Sequence, residues 1–171
     1  NQLELWQETT FDPDTIDREL AWAADLGMNS IRLFLHDLMW EVDGDRFLDR
    51  VDRVLDLAAA HGIRAMPVLF DGIWDPEPRP GPQRRPRPGL HNSTWVQGPG
   101  AAIVGDRSRW DSLRPYVDAV LGRFGRDERV HVWDLFNEPD SPNPAYLRRD
   151  VSDKRRRIGE LLEVVWDWAA E

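Results

Sequence analysis

The sequence contains no cysteine, which excludes disulfides and cysteine-ligated metal sites. Its four histidines show no metal-ligand spacing, and no glycine-rich phosphate loop follows any predicted strand. Neither a metal nor another cofactor is therefore predicted. No apolar run reaches the roughly 18 residues that a membrane-spanning helix needs, so no membrane segment is predicted. The 171 residues suit one domain with a substantial core.

Lysine is almost absent, and basic residues as a whole are outnumbered. There are 22 basic and 31 acidic residues, and the net charge of −9 argues against nucleic acid as the main partner. One run of four basic residues, KRRR at 154–157, precedes Glu160 and Glu163, so it is predicted to be a solvated helix face. No signal-peptide pattern opens the sequence, and its first residue is not Met, so localisation is left open.

Helical and strand patterns alternate along the chain. The order predicts an α/β fold with a parallel sheet, helical cover and right-handed crossovers. Pro67 cannot donate a ladder hydrogen bond, so a bulge or an early end to pairing is predicted there. Pro115 predicts that the regular part of the third helix begins near it. The predicted helices span 12–27, 44–62, 109–124 and 152–170, and the predicted strands span 29–36, 63–70 and 129–136.

Residues 71–108 interrupt this alternation with a long loop rich in Pro and Gly. Loops of this length are usually functional or disordered, and several apolar side chains are available to anchor this one. Its carboxylates, amides and indoles together suit a sugar, through hydrogen bonds to hydroxyls and stacking on the pyranose face. Each Trp alone is better explained as an internal anchor, whereas the group indicates binding. The residues concerned are Asp71, Trp74, Asp75, His91, Asn92 and Trp95.

The third predicted strand ends on Asn137 and Glu138, in the run WDLFNEPD. Ligands of parallel α/β folds gather at the carboxyl ends of the strands. A carboxyl group at such a rim loses hydration, which favours its protonated form and suits a general acid. Asn137 offers both donors and acceptors to a hydroxyl-rich ligand. The alternative for Glu138 is that it caps the next segment or pairs with an arginine.

Arg32 lies inside the first predicted strand, where it alternates with Ile31 and Leu33. An arginine in a buried strand needs an anionic partner. Two partners are open: a carboxylate in the site, or a structural ion pair with Asp134.

These features together resemble glycoside hydrolase clan A, the (β/α)8-barrel retaining glycosidases that include the family 5 cellulase-like enzymes. The resemblance covers nearly the whole chain. It is carried by LELWQETTFDP, ELAWAADLGMNSIRLFLHDLMW, GIRAMPVLFDGIWDP, GLHNSTWVQGPG and VWDLFNEPD.

The resemblance implies roles for three residues. Glu138 would be the general acid/base at the end of the fourth barrel strand, Asn137 would bind the sugar near its 2-hydroxyl, and Arg32 would support the nucleophile. The expected substrate is a β-linked oligo- or polysaccharide, with mannan, glucan, xylan and small β-glycosides all open. By position and type only, further side chains would line the sugar cleft: His36, Asp71, Trp74, His91, Asn92 and Trp95.

The expected fold is about the first half of a TIM barrel, units one to four, over residues 1–171 with the long βα loop at 71–108. A complete barrel takes about 250 residues or more. The first strand is predicted to be missing or reduced to LELWQ. The family's nucleophile lies on the seventh strand, so no residue here inherits that role.

Two consequences are expected from the missing units. A retaining mechanism needs two carboxyl groups about 5–5.5 Å apart. Because the nucleophile is missing, residues 1–171 alone are predicted to be inactive or nearly so. An open half barrel exposes a sheet edge and apolar surface, which predicts self-association. The competing interpretation is a non-catalytic carbohydrate-binding or interaction α/β domain. A small α/β enzyme of another class, such as a nucleotide binder, is disfavoured by the absent phosphate loop.

Overall fold

A computed structural model describes all 171 residues and shows a three-stranded parallel sheet with six α-helices. The strands lie in chain order, β1-β2-β3, and both neighbouring pairs are parallel. The predicted α/β fold with a parallel sheet is confirmed. The elements are α1 (Gln2–Trp6), α2 (Pro13–Asp25), β1 (Ser30–Phe34), α3 (Asp37–Ala60), β2 (Arg64–Asp71), α4 (Ala101–Val104), a 3-10 helix (Arg107–Leu113), α5 (Arg114–Phe124), β3 (Asp134–Asn137) and α6 (Lys154–Ala170).

The segment LELWQ lies almost entirely in α1 and forms no strand, so of the two alternatives the first strand is missing rather than reduced. Asn1 caps the helix: its side-chain oxygen accepts a hydrogen bond from the Glu4 backbone N–H at 2.9 Å. The Glu4 carboxylate accepts from the Asn1 amino group at 2.8 Å, which completes a capping box. Trp6 is fully buried, and its indole N–H donates to the Phe34 carbonyl at 2.8 Å. The helix therefore covers the end of β1.

Pro67 lies inside β2 without ending the pairing of that strand with β1, where it stands opposite Leu33. The interruption occurs on the other side, because Ala65 bridges Val130 and β3 begins only at Asp134. Ala65 exchanges backbone hydrogen bonds with that side, so Pro67, two residues on, faces the same way. No strand there needs its missing donor. Neither the predicted bulge nor an early end to pairing occurs in β2, and the interruption lies instead at residues 131–133 of the neighbouring segment.

Helix α3 begins earlier than predicted and contains a kink. Asp43 has φ −161° and ψ 78°, which are not helical, and the predicted helix from Gly44 corresponds to the part after it. The predicted start near Pro115 is confirmed, because α5 begins at Arg114 and the 3-10 helix precedes it.

One main core of 26 buried residues joins the sheet to α3, α5 and α6. Tyr116 of α5 lies at its centre, with its hydroxyl donating to the Leu69 carbonyl at 3.0 Å and its ring 5.5 Å from that of Phe70. Aromatic contacts of this kind add about 0.5–1.5 kcal/mol beyond the apolar area they bury. None of the helices is both long and apolar enough to cross a lipid bilayer.

Candidate functional site

The polar residues at the strand ends meet at one edge of the sheet. His36 follows β1, Asp71 ends β2 and Asn137 ends β3. Asp71 and Asn137 are direct register partners across the two strands. The parallel arrangement therefore brings these three sequence-distant segments to the same rim.

A hydrogen-bonded chain runs across this rim. The Arg32 guanidinium donates to Asn137 Oδ1 at 3.0 Å, and Asn137 Nδ2 donates to Asp71 Oδ1 at 3.0 Å. Since both ends of the amide are engaged, its orientation is fixed. Arg32 also pairs with Asp134, so the structural ion pair is the one of its two open partners that it has, and its contact within the site is with an amide.

Asp71 is the buried carboxyl group of the site. It accepts hydrogen bonds from Asn137, from the Ile73 backbone N–H at 3.3 Å and from the Gln2 side chain at 3.3 Å. Burial raises the pKa of Asp71 to about 6, although the bonds from Asn137 and Ile73 lower it; the charge of Glu138 raises it further. Both carboxylate oxygens are occupied by protein donors.

Glu138 is exposed, and its carboxylate has no hydrogen-bond or ion-pair partner. It neither caps the next segment nor pairs with an arginine. The desolvation predicted for this carboxyl falls instead on Asp71, so that part of the prediction is wrong. The backbone of Glu138 has φ +47°, in the left-handed region that a non-glycine residue occupies at a cost of about 1–3 kcal/mol. Such strain is typical of functional sites.

The aromatic side chains predicted in the long loop come together with Phe34 and form an aromatic cluster beside this hydrogen-bonded chain. The Trp74 ring lies 5.9 Å from Trp95 and 5.7 Å from His91, and Trp95 meets Phe34 of β1 at 5.0 Å. Arg32 lies over the other end of this cluster, 5.0 Å from the centroid of Phe34. The aromatic cluster and the polar chain therefore share one surface.

Asn92 shapes the turn that carries His91 and Trp95. Its φ of +45° is left-handed, which Asn tolerates better than most residues. Its carbonyl accepts from the Trp95 backbone N–H at 3.0 Å. The structure thus places Asn92 as a turn residue at the border of the aromatic cluster.

His36 is buried below the rim, where both of its ring nitrogens are engaged. Nε2 lies 2.8 Å from the Gln97 carbonyl, and Nδ1 accepts from the Leu38 backbone N–H at 3.2 Å. The Asp37 carboxylate also lies 3.2 Å from Nδ1, but a nitrogen that accepts a hydrogen bond carries no proton to share, so this contact is not an ion pair. His36 fixes the long loop against α3.

Sequence reasoning missed the buried residues that hold the loops. Gln2 bonds to the backbone of Val96 as well as to Asp71. The Asn-x-x-Glu capping-box pattern at the chain start was a signal for the helix that carries Gln2. The Gln97 side chain bonds to the Trp74 carbonyl at 3.2 Å.

The prediction that the run KRRR forms a solvated helix face is wrong for Lys154. It is buried, and its ammonium donates to the Asp150 carboxylate at 2.6 Å. Asp150 also accepts from Gln97 at 2.9 Å, so the pair continues the network that holds the long loop. Arg155 and Arg156 of the same run are exposed, as predicted.

The segments that follow β2 and β3 are joined by a second buried carboxyl group. Asp75 pairs with Arg84 at 3.1 Å and with Arg149 at 3.2 Å. Arg84 also donates to the Tyr146 hydroxyl at 3.1 Å. These contacts hold the two loops together above the rim.

Comparison with known proteins finds no family that matches this chain and no curated protein with significant similarity to it. No group of three or more His, Asp or Glu side chains is arranged to hold a metal ion. The geometry of the rim is therefore the feature of the molecule that points to a function.

Proposed function

We propose that the chain forms about the first half of the (β/α)8 barrel of a retaining glycoside hydrolase that cleaves β-linked oligo- or polysaccharides. One observation carries the proposal. The Asn137 amide is fixed between Arg32 and Asp71, immediately before an exposed, unpaired carboxylate at the end of a parallel strand. Glu138 is the proposed general acid/base.

The sheet supports the barrel part of the proposal. A barrel made of (β/α) units has parallel strands in chain order, each followed by a helix. The order β1-β2-β3 and the helices α3, α5 and α6 that follow the three strands agree with this arrangement.

The geometry suggests how the residues would act on a sugar. Glu138, free of protein partners, would donate a proton to the leaving oxygen and later take one from water. Asn137 uses one hydrogen of Nδ2 on Asp71, so the other is free to donate to a sugar hydroxyl. Arg32 would hold that amide in place. The rings of Trp74 and Trp95 would offer apolar faces to the sugar.

Residues 1–171 alone are expected to show no turnover of aryl β-glycosides above background. The mechanism requires a second carboxyl group as nucleophile. Asp71, the carboxyl group beside Asn137, is buried and directs both oxygens at N–H donors of the protein, so it is not presented to a sugar in that role. Release of nitrophenol measured with a panel of aryl glycosides checks this, and native-like rates from a pure sample would contradict it.

The hydrogen bonds that Asp71 accepts from Gln2 and Asn137 also favour a second candidate, a carbohydrate-binding α/β domain without turnover. The two candidates differ in what the gene encodes after Glu171. Further βα units with a glutamate at a late strand end would support the hydrolase, and a stop codon would support the binding domain.

Both candidates predict that the chain binds glycans through the aromatic cluster. Replacing Trp74 by alanine is expected to weaken binding about tenfold, since stacking contributes about 1 kcal/mol or more. Retardation in native gels that contain soluble glucan, mannan or xylan measures the affinity. Trp22→Ala on α2, where the side chain is 57% exposed, is the matched control. Equal effects of the two variants, or no retardation by any glycan, would contradict glycan binding at this site.

The chain is expected to self-associate through the outer edge of β3. This edge pairs with no strand, and a groove of about 930 Å³ beside it is lined by Trp133, Leu135, Trp166 and Trp168 among other residues. Trp166→Glu is expected to shift the population toward monomer, whereas Trp22→Glu on a distant helix is not. Light scattering measures both. A monomeric wild-type chain at high concentration would contradict self-association through the open edge of β3.

A further inference from the structure

The long loop has a charge opposite to that of the rest of the chain. Residues 78–105 contain four arginines and none of the chain's 31 acidic residues. Because the whole chain carries a net charge of −9, this segment is a local basic patch on an acidic protein. Such a local patch attracts anions even where the net charge repels them.

Two of the four arginines are used within the protein. Arg79 lies 3.6 Å from Glu77, and Arg84 pairs with Asp75. The side chains of Arg85 and Arg87 are exposed and have neither a hydrogen bond nor an ion pair. Their guanidinium groups are therefore available to a ligand.

The backbone around these two free arginines is fixed beside the aromatic cluster. The Asn1 side-chain amide donates to Gln83 Oε1 at 3.1 Å and to the Thr94 carbonyl at 2.8 Å. The Arg87 backbone N–H donates to Ser93 Oγ at 2.8 Å. The segment 83–87 thus runs alongside 93–94, directly before Trp95.

We propose that this rim binds an acidic polysaccharide, with the carboxylates or sulfates of the polymer on Arg85 and Arg87 and its sugar faces on Trp74 and Trp95. Arginine suits this role because its planar guanidinium matches a carboxylate in a bidentate geometry. The inference deepens the proposed glycan-directed function and depends on it. It names the charge class of the glycan, which the rim chain of Arg32, Asn137 and Asp71 leaves open.

Two polymers with the same β-glucan backbone test the proposal. Carboxymethylcellulose carries carboxylates, whereas hydroxyethylcellulose is neutral. In native gels, the wild-type chain is expected to be retarded more strongly by carboxymethylcellulose, and added salt is expected to reduce the difference. An acidic protein is repelled by a polyanion, so retardation would report a local site.

A charge-matched pair of variants locates that site. Arg85→Gln/Arg87→Gln is expected to weaken binding to carboxymethylcellulose about tenfold and to leave hydroxyethylcellulose binding unchanged. Arg53→Gln/Arg126→Gln changes the net charge equally, at two exposed arginines that also have no ion pair, and should have little effect.

The remaining outcomes each overturn a defined part. Equal retardation by both polymers would overturn the acidic-ligand inference and leave the glycan-directed function standing. No retardation by either polymer, together with none by glucan, mannan or xylan, would remove the glycan-directed function itself. Equal effects of the two double variants, or equal retardation by polyglutamate, would show general polyanion binding and overturn the inference.

Discussion

Replacing Lys154 by methionine is expected to lower the free energy of unfolding by about 3–5 kcal/mol. The Lys154 and Asp150 side chains are only 9% and 6% exposed, and the ammonium-to-carboxylate distance is 2.6 Å. Removing the ammonium leaves the Asp150 carboxylate buried without a countercharge. Hydrogen bonds from Gln97 and from the Val151 backbone N–H remain, but they do not neutralise it. Urea denaturation at neutral pH measures the change.

The same helix offers a matched control. Arg155 pairs with Asp140 at 2.8 Å, but both side chains are mostly exposed, at 79% and 59%. Exposed ion pairs contribute about 0–1 kcal/mol, so Arg155→Met should cost little. The double variant Asp150→Leu/Lys154→Met should lose less than Lys154→Met alone, because it removes both buried charges. If Lys154→Met and Arg155→Met have equal effects, the buried pair does not stabilise the fold.

The long elements of this fold could be predicted because their signals are local. Apolar spacing, an Asp or Pro at a helix start and a Gly after its end mark α2, α5 and the later part of α3 within a few residues. The five-residue helix α1 was missed, since LELWQ is too short to show helical spacing. Only the Asn1 and Glu4 pair marked it. The prediction at Pro67 is wrong because the effect of a proline on strand pairing depends on the neighbouring segment, which local sequence does not specify.

The candidate site divides in the same way. Arg32 and Asn137 were found because an arginine inside a strand and an amide at a strand end are unusual in sequence. Gln2 and Gln97 are ordinary polar residues until the fold buries them against partners 69 and 53 residues away. The burial of Asp71 likewise depends on α1 and the long loop, which supply its neighbours Gln2 and Gly98. Local patterns name candidates, and tertiary packing decides which carboxyl loses water.

Asp71 is expected to make the fold less stable as the pH rises from about 3.8 to about 6. Burial raises its pKa from the ordinary value of 3.8 to about 6, so the folded chain binds this proton more tightly than the unfolded chain does. Its contribution is fully present below pH 3.8 and is lost as the pH rises through 6. A shift of this size corresponds to a change on the order of 3 kcal/mol.

Other carboxyl groups act in the opposite direction, so the measurement needs a difference. Hydrogen bonds from Arg129 lower the pKa of Asp127, whose stabilisation is therefore lost as the pH falls. Asp71→Asn removes one titrating group and keeps the shape, so the unfolding free energy of the wild type minus that of the variant isolates Asp71. This difference should shrink by about 3 kcal/mol between pH 3.5 and pH 7. A difference that stays constant with pH would show that burial does not keep Asp71 protonated. The Asn137 amide would then donate to a carboxylate that is charged throughout this pH range.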